Sequence, residues 1–231
     1  MARFLIIQND PIEGLGLYGL LLSDEGNVDV VHPYLPGASL PSAVSYDAFV
    51  IGPTPIPAND AEGHAFLARE LRYLSGVIGS GKPILGVCCG GQILSKLLGG
   101  DVKRSPSKEV GGYAVELTDA GRGDPLFGGF PSSFPVFQWH SDMFTVPPGG
   151  EQIARSELCP IQAFAKGTVR GVIFHLEVDH LDAARWADAY PAELAAVGKT
   201  KAQVIEECRS RERDMGRLAE VLIRNFVDLA A

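Results

Sequence analysis

An α/β domain with a mostly parallel central sheet, helices on both of its faces, a β-rich second half and a C-terminal helix is the fold class this chain predicts. Three observations carry it. Apolar, β-rich runs alternate with segments of helical period through the first half, which indicates a parallel sheet covered on both faces. Beyond residue 100 the chain changes to short strands separated by Pro and Gly clusters. No linker, internal repeat or low-complexity tract divides the 231 residues, so a single domain over 1–231 is expected.

The elements follow in order. Strands are expected over 4–7, 28–31 and 46–51, with a helix over 15–22 and a longer one over 59–78. In the longer helix Leu67, Leu71, Leu74 and Ile78 keep the 3.6 period, and Asp60 and Glu62 suit the positive end of its dipole. A buried strand over 84–87 turns into a helix beginning near Ile93. The second half reads as antiparallel or mixed strands over 113–118, 136–140, 152–156, 161–164 and 169–175. From 201 to 229, Val204, Cys208, Met215, Leu218, Leu222 and Phe226 fall near one face of a final amphipathic helix.

Composition narrows the function. With 46% hydrophobic residues the chain has material for a substantial core, and a net charge of −8 without a basic run argues against nucleic acid or an anionic membrane as partner. Small molecules or proteins remain. No apolar run is long enough to span a membrane, and no signal-peptide pattern precedes the first strand, so a cytoplasmic location is expected. The four cysteines, Cys88, Cys89, Cys159 and Cys208, are too few and too irregular for a disulfide framework, and no C-x-x-C pair points to zinc.

Two of those cysteines stand in the segment KPILGVCCGGQILSKLLGG, where the strand gives way to the helix. Glycines flank the junction, which gives it the form of a nucleophile elbow with Cys88 in the position that serine takes in G-x-S-x-G. The helix N-terminus beside the sulfur favours thiolate, the reactive form. Burial as two small core residues fits the same segment equally well. A thiol nucleophile needs a base and an orienting group, and these decide between the two.

Of five histidines, His32 and His64 stand in solvated contexts. His175 differs, because in GVIFHLEVDH it ends an apolar strand with Glu177 two residues on, so both side chains leave an extended chain on one face. At the carboxyl end of a sheet strand that pair can meet the Cys88 elbow. His140, in FQWHSDMF, reads as a structural histidine near a strand end, and residues 108–112 read as a solvated loop.

GVCCGGQ resembles the G-x-C-x-G-x-Q nucleophile motif of triad-type, class I glutamine amidotransferases, and FHLE resembles their F-H-P-E segment, in the same order. The likeness runs from about residue 4 to 179, through SKEVGGYAVELT, DPLF, FPVFQWHSD and PIQAF, and is nearest to the free-standing branch of that family. It implies a flavodoxin-like fold, Cys88 as nucleophile, His175 as base and acid, Glu177 as its orienting group, and Gln92 as a glutamine binder. It also implies an oxyanion hole from the backbone N–H groups of Gly52 and Cys89. Three departures stand out: Ile51 for the first glycine of G-G-P, Gly91 where the family often carries a bulkier residue, and Leu176 for the proline of F-H-P-E. None removes a reacting group, and Gly91 is expected to leave room behind the nucleophile.

The activity implied is hydrolysis of the glutamine side-chain amide through a γ-glutamyl thioester, without metal or organic cofactor. No synthetase segment is apparent, so ammonia is expected to pass to a separate acceptor synthetase or ligase. A γ-glutamyl peptidase or hydrolase using the same triad is the main rival. A non-catalytic regulatory module with a degenerate site is a third reading, which the intact Cys88, His175 and Glu177 oppose. A redox-sensing cysteine leaves the F-H-x-E pair unexplained.

Overall fold

The computed structural model describes residues 1–230. Strand β1 (Arg3–Ile7), helix α1 (Gly16–Glu25), β2 (Asn27–Val31), β3 (Ala48–Ile51), α2 (Ala65–Gly79), β4 (Ile84–Val87) and α3 (Cys89–Leu97) make up the alternating half. Next come β5 (Val102–Leu117), α4 (Asp119–Gly123), β6 (Ser133–Phe144), β7 (Glu151–Arg155), β8 (Ala163–Lys166) and β9 (Val169–Val172). Four helices close the chain: α5 (His180–Ala189), α6 (Pro191–Ala196), α7 (Lys201–Arg209) and α8 (Glu212–Asp228).

All nine strands join one sheet in the order β2-β1-β3-β4-β9-β8-β7-β5-β6. From β2 to β9 the pairings are parallel, and from β9 to β6 they are antiparallel. Successive side chains of a strand point to opposite faces, so each buried strand feeds two cores. Phe4, Ile6, Ala48, Val50, Leu85 and Val87 face one core, closed by Tyr18 and Leu22 of α1 and by Met215, Leu222 and Phe226 of α8. Leu5, Ile7, Phe49, Ile51 and Ile84 face the other, closed by Leu67 and Leu74 of α2 and Ile93 and Leu94 of α3. Each fully buried side chain of this kind contributes about 1.5–3 kcal/mol.

Four elements differ from the sequence reading. The segment 108–112 is not a solvated loop but lies inside β5, with Glu109 and Val110 fully buried, because pairing with β6 extends the strand back to Val102. The expected single C-terminal helix is broken into α7 and α8: the Ser210 hydroxyl and the Arg211 guanidinium both donate to the Glu207 carbonyl, satisfying the end of α7. The long helix starts at Ala65, leaving Asp60 and Glu62 beside a preceding short 3₁₀ turn rather than in its first turn. Strand β9 stops at Val172, and His175 follows in a separate bridge to Phe137 of β6.

Candidate active site

The chain end of β4 and the start of α3 build the elbow. Cys88 has φ 52° and ψ −113°, the one positive φ outside glycine among the described residues, a conformation that costs about 1–3 kcal/mol and survives where surrounding packing enforces it. Gly90 supplies that packing, since a Cβ there would lie 2.3 Å from the Ile51 carbonyl oxygen. The Cys88 N–H donates to the Val172 carbonyl at 2.8 Å, tying the elbow to the end of β9.

His175 lies three residues beyond that point. Strands β4 and β9 are parallel neighbours with Val87 opposite Val172, so the thiol and the imidazole arise at the same edge of adjacent strands. The His175 Nδ1 stands 2.6 Å from Glu177 Oε1, and the second Glu177 oxygen accepts from the Leu176 N–H at 3.0 Å. Nδ1–H donating to a carboxylate fixes the tautomer whose Nε2 carries a lone pair, and Nε2 is buried without a protein partner. Trp186 packs edge-on against the imidazole, with ring centroids 5.0 Å apart. The Leu17 N–H, at the start of α1, points to the Glu177 carbonyl.

Burial, first of all, pushes the Cys88 thiol well above its ordinary value, and the charge of Glu13 adds to this; the Cys89 N–H, hydrogen-bonded toward the sulfur, pulls the other way. The Cys88 thiol has the Trp139 carbonyl as a polar neighbour at 3.9 Å, and a thiol held in its neutral form needs a base before it can act as a nucleophile.

The oxyanion pair needs correction in this conformation. The Cys89 N–H faces the sulfur, but the Gly52 N–H completes the β1–β3 ladder by donating to the Ile7 carbonyl at 2.9 Å. Asn9 holds the next peptide: its side-chain amide donates to the Gly52 carbonyl at 3.4 Å and to Glu70 Oε1 at 3.1 Å. Gly91 is corrected as well. A Cβ there would meet the Val172 carbonyl at 3.0 Å and the Phe144 ring at 3.2 Å, so Gly91 permits close packing of α3 on the sheet and opens no room for substrate.

A cavity of about 220 Å³ opens over Cys88, lined by Cys89, Gln92, Thr54, Trp139 and Glu13 near the sulfur and by Arg104, Asp142, Tyr190 and Glu193 toward its rim. It is smaller than the ~300–1,000 Å³ of drug-sized sites, which suits an amino-acid amide. Gln92 is held by donating to the Asp142 carbonyl at 3.0 Å, and Arg104 pairs with the Asp142 carboxylate at 3.2 Å. Glu13, Tyr190, Glu193 and Arg104 escaped the sequence reading. A lone glutamate in a turn, and charged or aromatic residues from two distant segments, carry no local motif.

His140 also lines the cavity, and it is structural as expected: its Nε2 is 3.0 Å from Glu109 Oε2, which also accepts from Gln162 at 3.0 Å. Gln138 in turn donates to Gln162 at 2.7 Å. Cys159 joins Glu109 and His140 in the one grouping among the described residues whose possible ligand atoms lie within 4.8 Å of one another. Burial pushes the Cys159 thiol up to about 11, and Glu109 and His140 are already engaged with each other.

The family profile described as "Glutamine amidotransferase class-I" matches residues 23–185. The glutamine amidotransferase-like protein YfeJ of Salmonella typhimurium is 31% identical over 180 residues, covering 76% of this chain and 75% of that protein. A glutamine-hydrolysing GMP synthase of Aeropyrum pernix is 43% identical over 120 residues, which is 51% of this chain but 23% of that longer protein. The crystal structure of a glutamine amidotransferase from Thermotoga maritima superposes with a TM-score of 0.89 at 29% identity, covering 98% of both chains. The chain belongs to the class I glutamine amidotransferase family, whose members are cysteine-dependent amidohydrolases. No helix among the described residues is long and apolar enough to cross a membrane.

Proposed function

We propose that this protein hydrolyses the side-chain amide of glutamine through Cys88, His175 and Glu177. The observation that carries the reading is the His175–Glu177 contact at 2.6 Å with Nε2 left free, at the strand end next to a cysteine held at positive φ. His175 takes the Cys88 proton as sulfur attacks the γ-carbonyl carbon. The carbon–nitrogen bond then breaks, and His175 returns the proton to the departing nitrogen, leaving a γ-glutamyl thioester and ammonia. Water, deprotonated by the same imidazole, hydrolyses the thioester to glutamate and restores the thiol. Glu177 holds the imidazole tautomer and stabilises its charged form. The Cys89 N–H stabilises the oxyanion, a role for which one donor is worth about 2.7–4 kcal/mol. Gln92 and the Arg104–Asp142 pair, which line the same cavity, receive the α-amino and α-carboxylate groups of the donor in this reading.

Ammonia lost to water is wasted, so a separate synthetase or ligase is proposed as its acceptor. The GMP synthase of Aeropyrum pernix supports this, since its name joins glutamine hydrolysis to a synthesis and the matched stretch is only 23% of its length. A second reading, hydrolysis of γ-glutamyl conjugates, is favoured by the continuation of the cavity past Cys88 to Tyr190 and Glu193. Steady-state release of glutamate from glutamine and from γ-glutamyl conjugates, with Cys88→Ala as control, tests both. Glutamate release that persists in Cys88→Ala refutes the mechanism.

A further inference from the structure

Among the cavity residues, Glu13 has no part in the mechanism above. It is 7% exposed, on the loop between β1 and α1, which is held by one contact within the loop and one from Trp186. The Glu13 N–H donates to Asp10 Oδ1 at 3.0 Å, and the Trp186 indole N–H donates to the Ile12 carbonyl at 3.2 Å. Trp186 is also the ring stacked edge-on against His175, so the loop that carries Glu13 is fastened to the partner of the catalytic imidazole. Glu13 lines the cavity together with Cys88, Trp139 and Tyr190, and the rings of Trp139 and Tyr190 lie 6.2 Å apart, tilted by 58° to one another.

The reaction sets where substrate atoms go relative to these groups. The scissile carbon sits over the Cys88 sulfur, and the departing nitrogen must lie toward His175 Nε2 to receive its proton. Whatever is attached to that nitrogen continues away from the γ-glutamyl group, along the wall that carries Glu13. A buried carboxylate in a cavity that aromatic side chains also line is the chemistry that holds an ammonium or a protonated amine. We infer that Glu13, with Trp139 and Tyr190, forms the subsite for the leaving amine, and that it selects γ-glutamyl donors whose leaving group is ammonia or a cationic amine over those whose leaving group carries a carboxylate. This rests on the cysteine acyl-transfer reading and narrows it: γ-glutamyl diamines fit, and γ-glutamyl amino acids and peptides are disfavoured.

Charge supports the geometry. Burial raises the Glu13 carboxyl to about 7, with Asp10 adding to the rise and the Tyr190 hydroxyl and His175 opposing it; Cys88 and Cys89 face it from α3. Near neutral pH the carboxyl is poised between its two forms, and a cation beside it draws it into the charged one. The preference for a cationic leaving group therefore grows as pH rises through 7.

The test uses three conjugates matched in length, γ-glutamyl-ethylenediamine, γ-glutamyl-propylamine and γ-glutamyl-β-alanine, together with glutamine. The wild-type protein is expected to favour the ethylenediamine conjugate over the β-alanine conjugate in kcat/KM by more than about 10-fold at pH 8, and by less at pH 6. Glu13→Gln, nearly equal in volume, is expected to cut that ratio by about 10-fold and flatten its pH dependence, and Tyr190→Leu to cut it with Glu13 intact. Where only glutamine turns over, the ratio of inhibition constants of the two charged conjugates against glutamine gives the same readout. A ratio unchanged by Glu13→Gln overturns the inference. So does a Glu13→Gln penalty that appears for glutamine but not for glutaramate, its analogue without the α-amino group, because the carboxylate then serves the donor's α-ammonium. Absence of any turnover, with no labelling of Cys88 by a glutamine-like electrophile, refutes the acyl-transfer reading itself.

Discussion

Two adjacent thiols share one turn and differ in their surroundings. Cys88 opens onto the cavity at a positive φ, whereas the Cys89 side chain is buried with the α2–α3 core and points its sulfur at the Ile56 carbonyl. Cys88→Ala is expected to abolish glutamate release, while Cys89→Ala retains much of it because its contribution is a backbone N–H; glutaminase assays on the two purified variants check this. Glu177→Gln is expected to lower kcat by less than His175→Ala does, since orienting members of other triads cost less than the base, and thermal melts of both variants separate catalysis from folding. The geometry around Cys88, His175 and Glu177 was legible because each residue sits in a short local pattern: a glycine-flanked elbow and a period-two pair on an extended chain. Glu13 was not legible. Its role depends on Trp186 folding back over the loop from 174 residues away, and nothing in the turn itself records that contact.

At the scale of elements, the alternating half was readable from periodicity, because each buried strand is a short apolar run flanked by glycine or proline. The reading failed where tertiary pairing decided the outcome. Glu109 looked solvated as a charged residue among glycines, yet β6 extends β5 around it, and Gln162 and His140 supply the partners that make its burial tolerable. The break between α7 and α8 was equally hidden, since the apolar period runs through it. The start of β1–α1 and helix α2 hold another buried acid, Glu70, fully enclosed and accepting from Asn9. Burial, the larger cause, raises its carboxyl from 4.5 to about 8 against the opposing Asn9 hydrogen bond. A folded-state value above the unfolded one means that the native state binds the extra proton. Its contribution to stability is therefore fully present below about pH 4.5 and is lost as pH rises through 8. Glu70→Gln, which mimics the protonated form, is expected to flatten the decline of Tm between pH 6 and 9; Tm series of the two proteins in matched buffers check it.

The whole molecule couples the antiparallel half of the sheet to the catalytic edge. Arg170, on β9 two residues before Val172 accepts from the elbow, is buried against Asp124 at 3.0 Å, and Asp124 also caps the short turn that packs on α8. Asp124→Ala leaves a guanidinium buried without its partner and is expected to cost about 3–5 kcal/mol, read as a shift in the urea midpoint with the slope unchanged.

In the unliganded fold the Gly52 N–H is spent on the Ile7 carbonyl, so one of the two expected oxyanion donors is turned away from the cavity. Donors displaced by even about 1 Å can cost on the order of 100-fold in rate, so the isolated chain is expected to hydrolyse glutamine slowly. Formation of the second donor requires the Ile51–Gly52 peptide to leave the β1–β3 ladder, while Asn9, itself bonded to Glu70, holds the Gly52 carbonyl of the next peptide. Glutamate γ-semialdehyde, which Cys88 captures as a tetrahedral thiohemiacetal, imitates the species that needs this donor. Amide hydrogen exchange at Gly52 is then expected to be slow in the free protein and to change in the adduct, and an ammonia-accepting partner that acts through this loop is expected to produce the same change without the adduct. A Gly52 amide equally protected in the free protein and in the thiohemiacetal would remove Gly52 from the oxyanion hole, leaving the Cys89 N–H as the donor supplied by this chain.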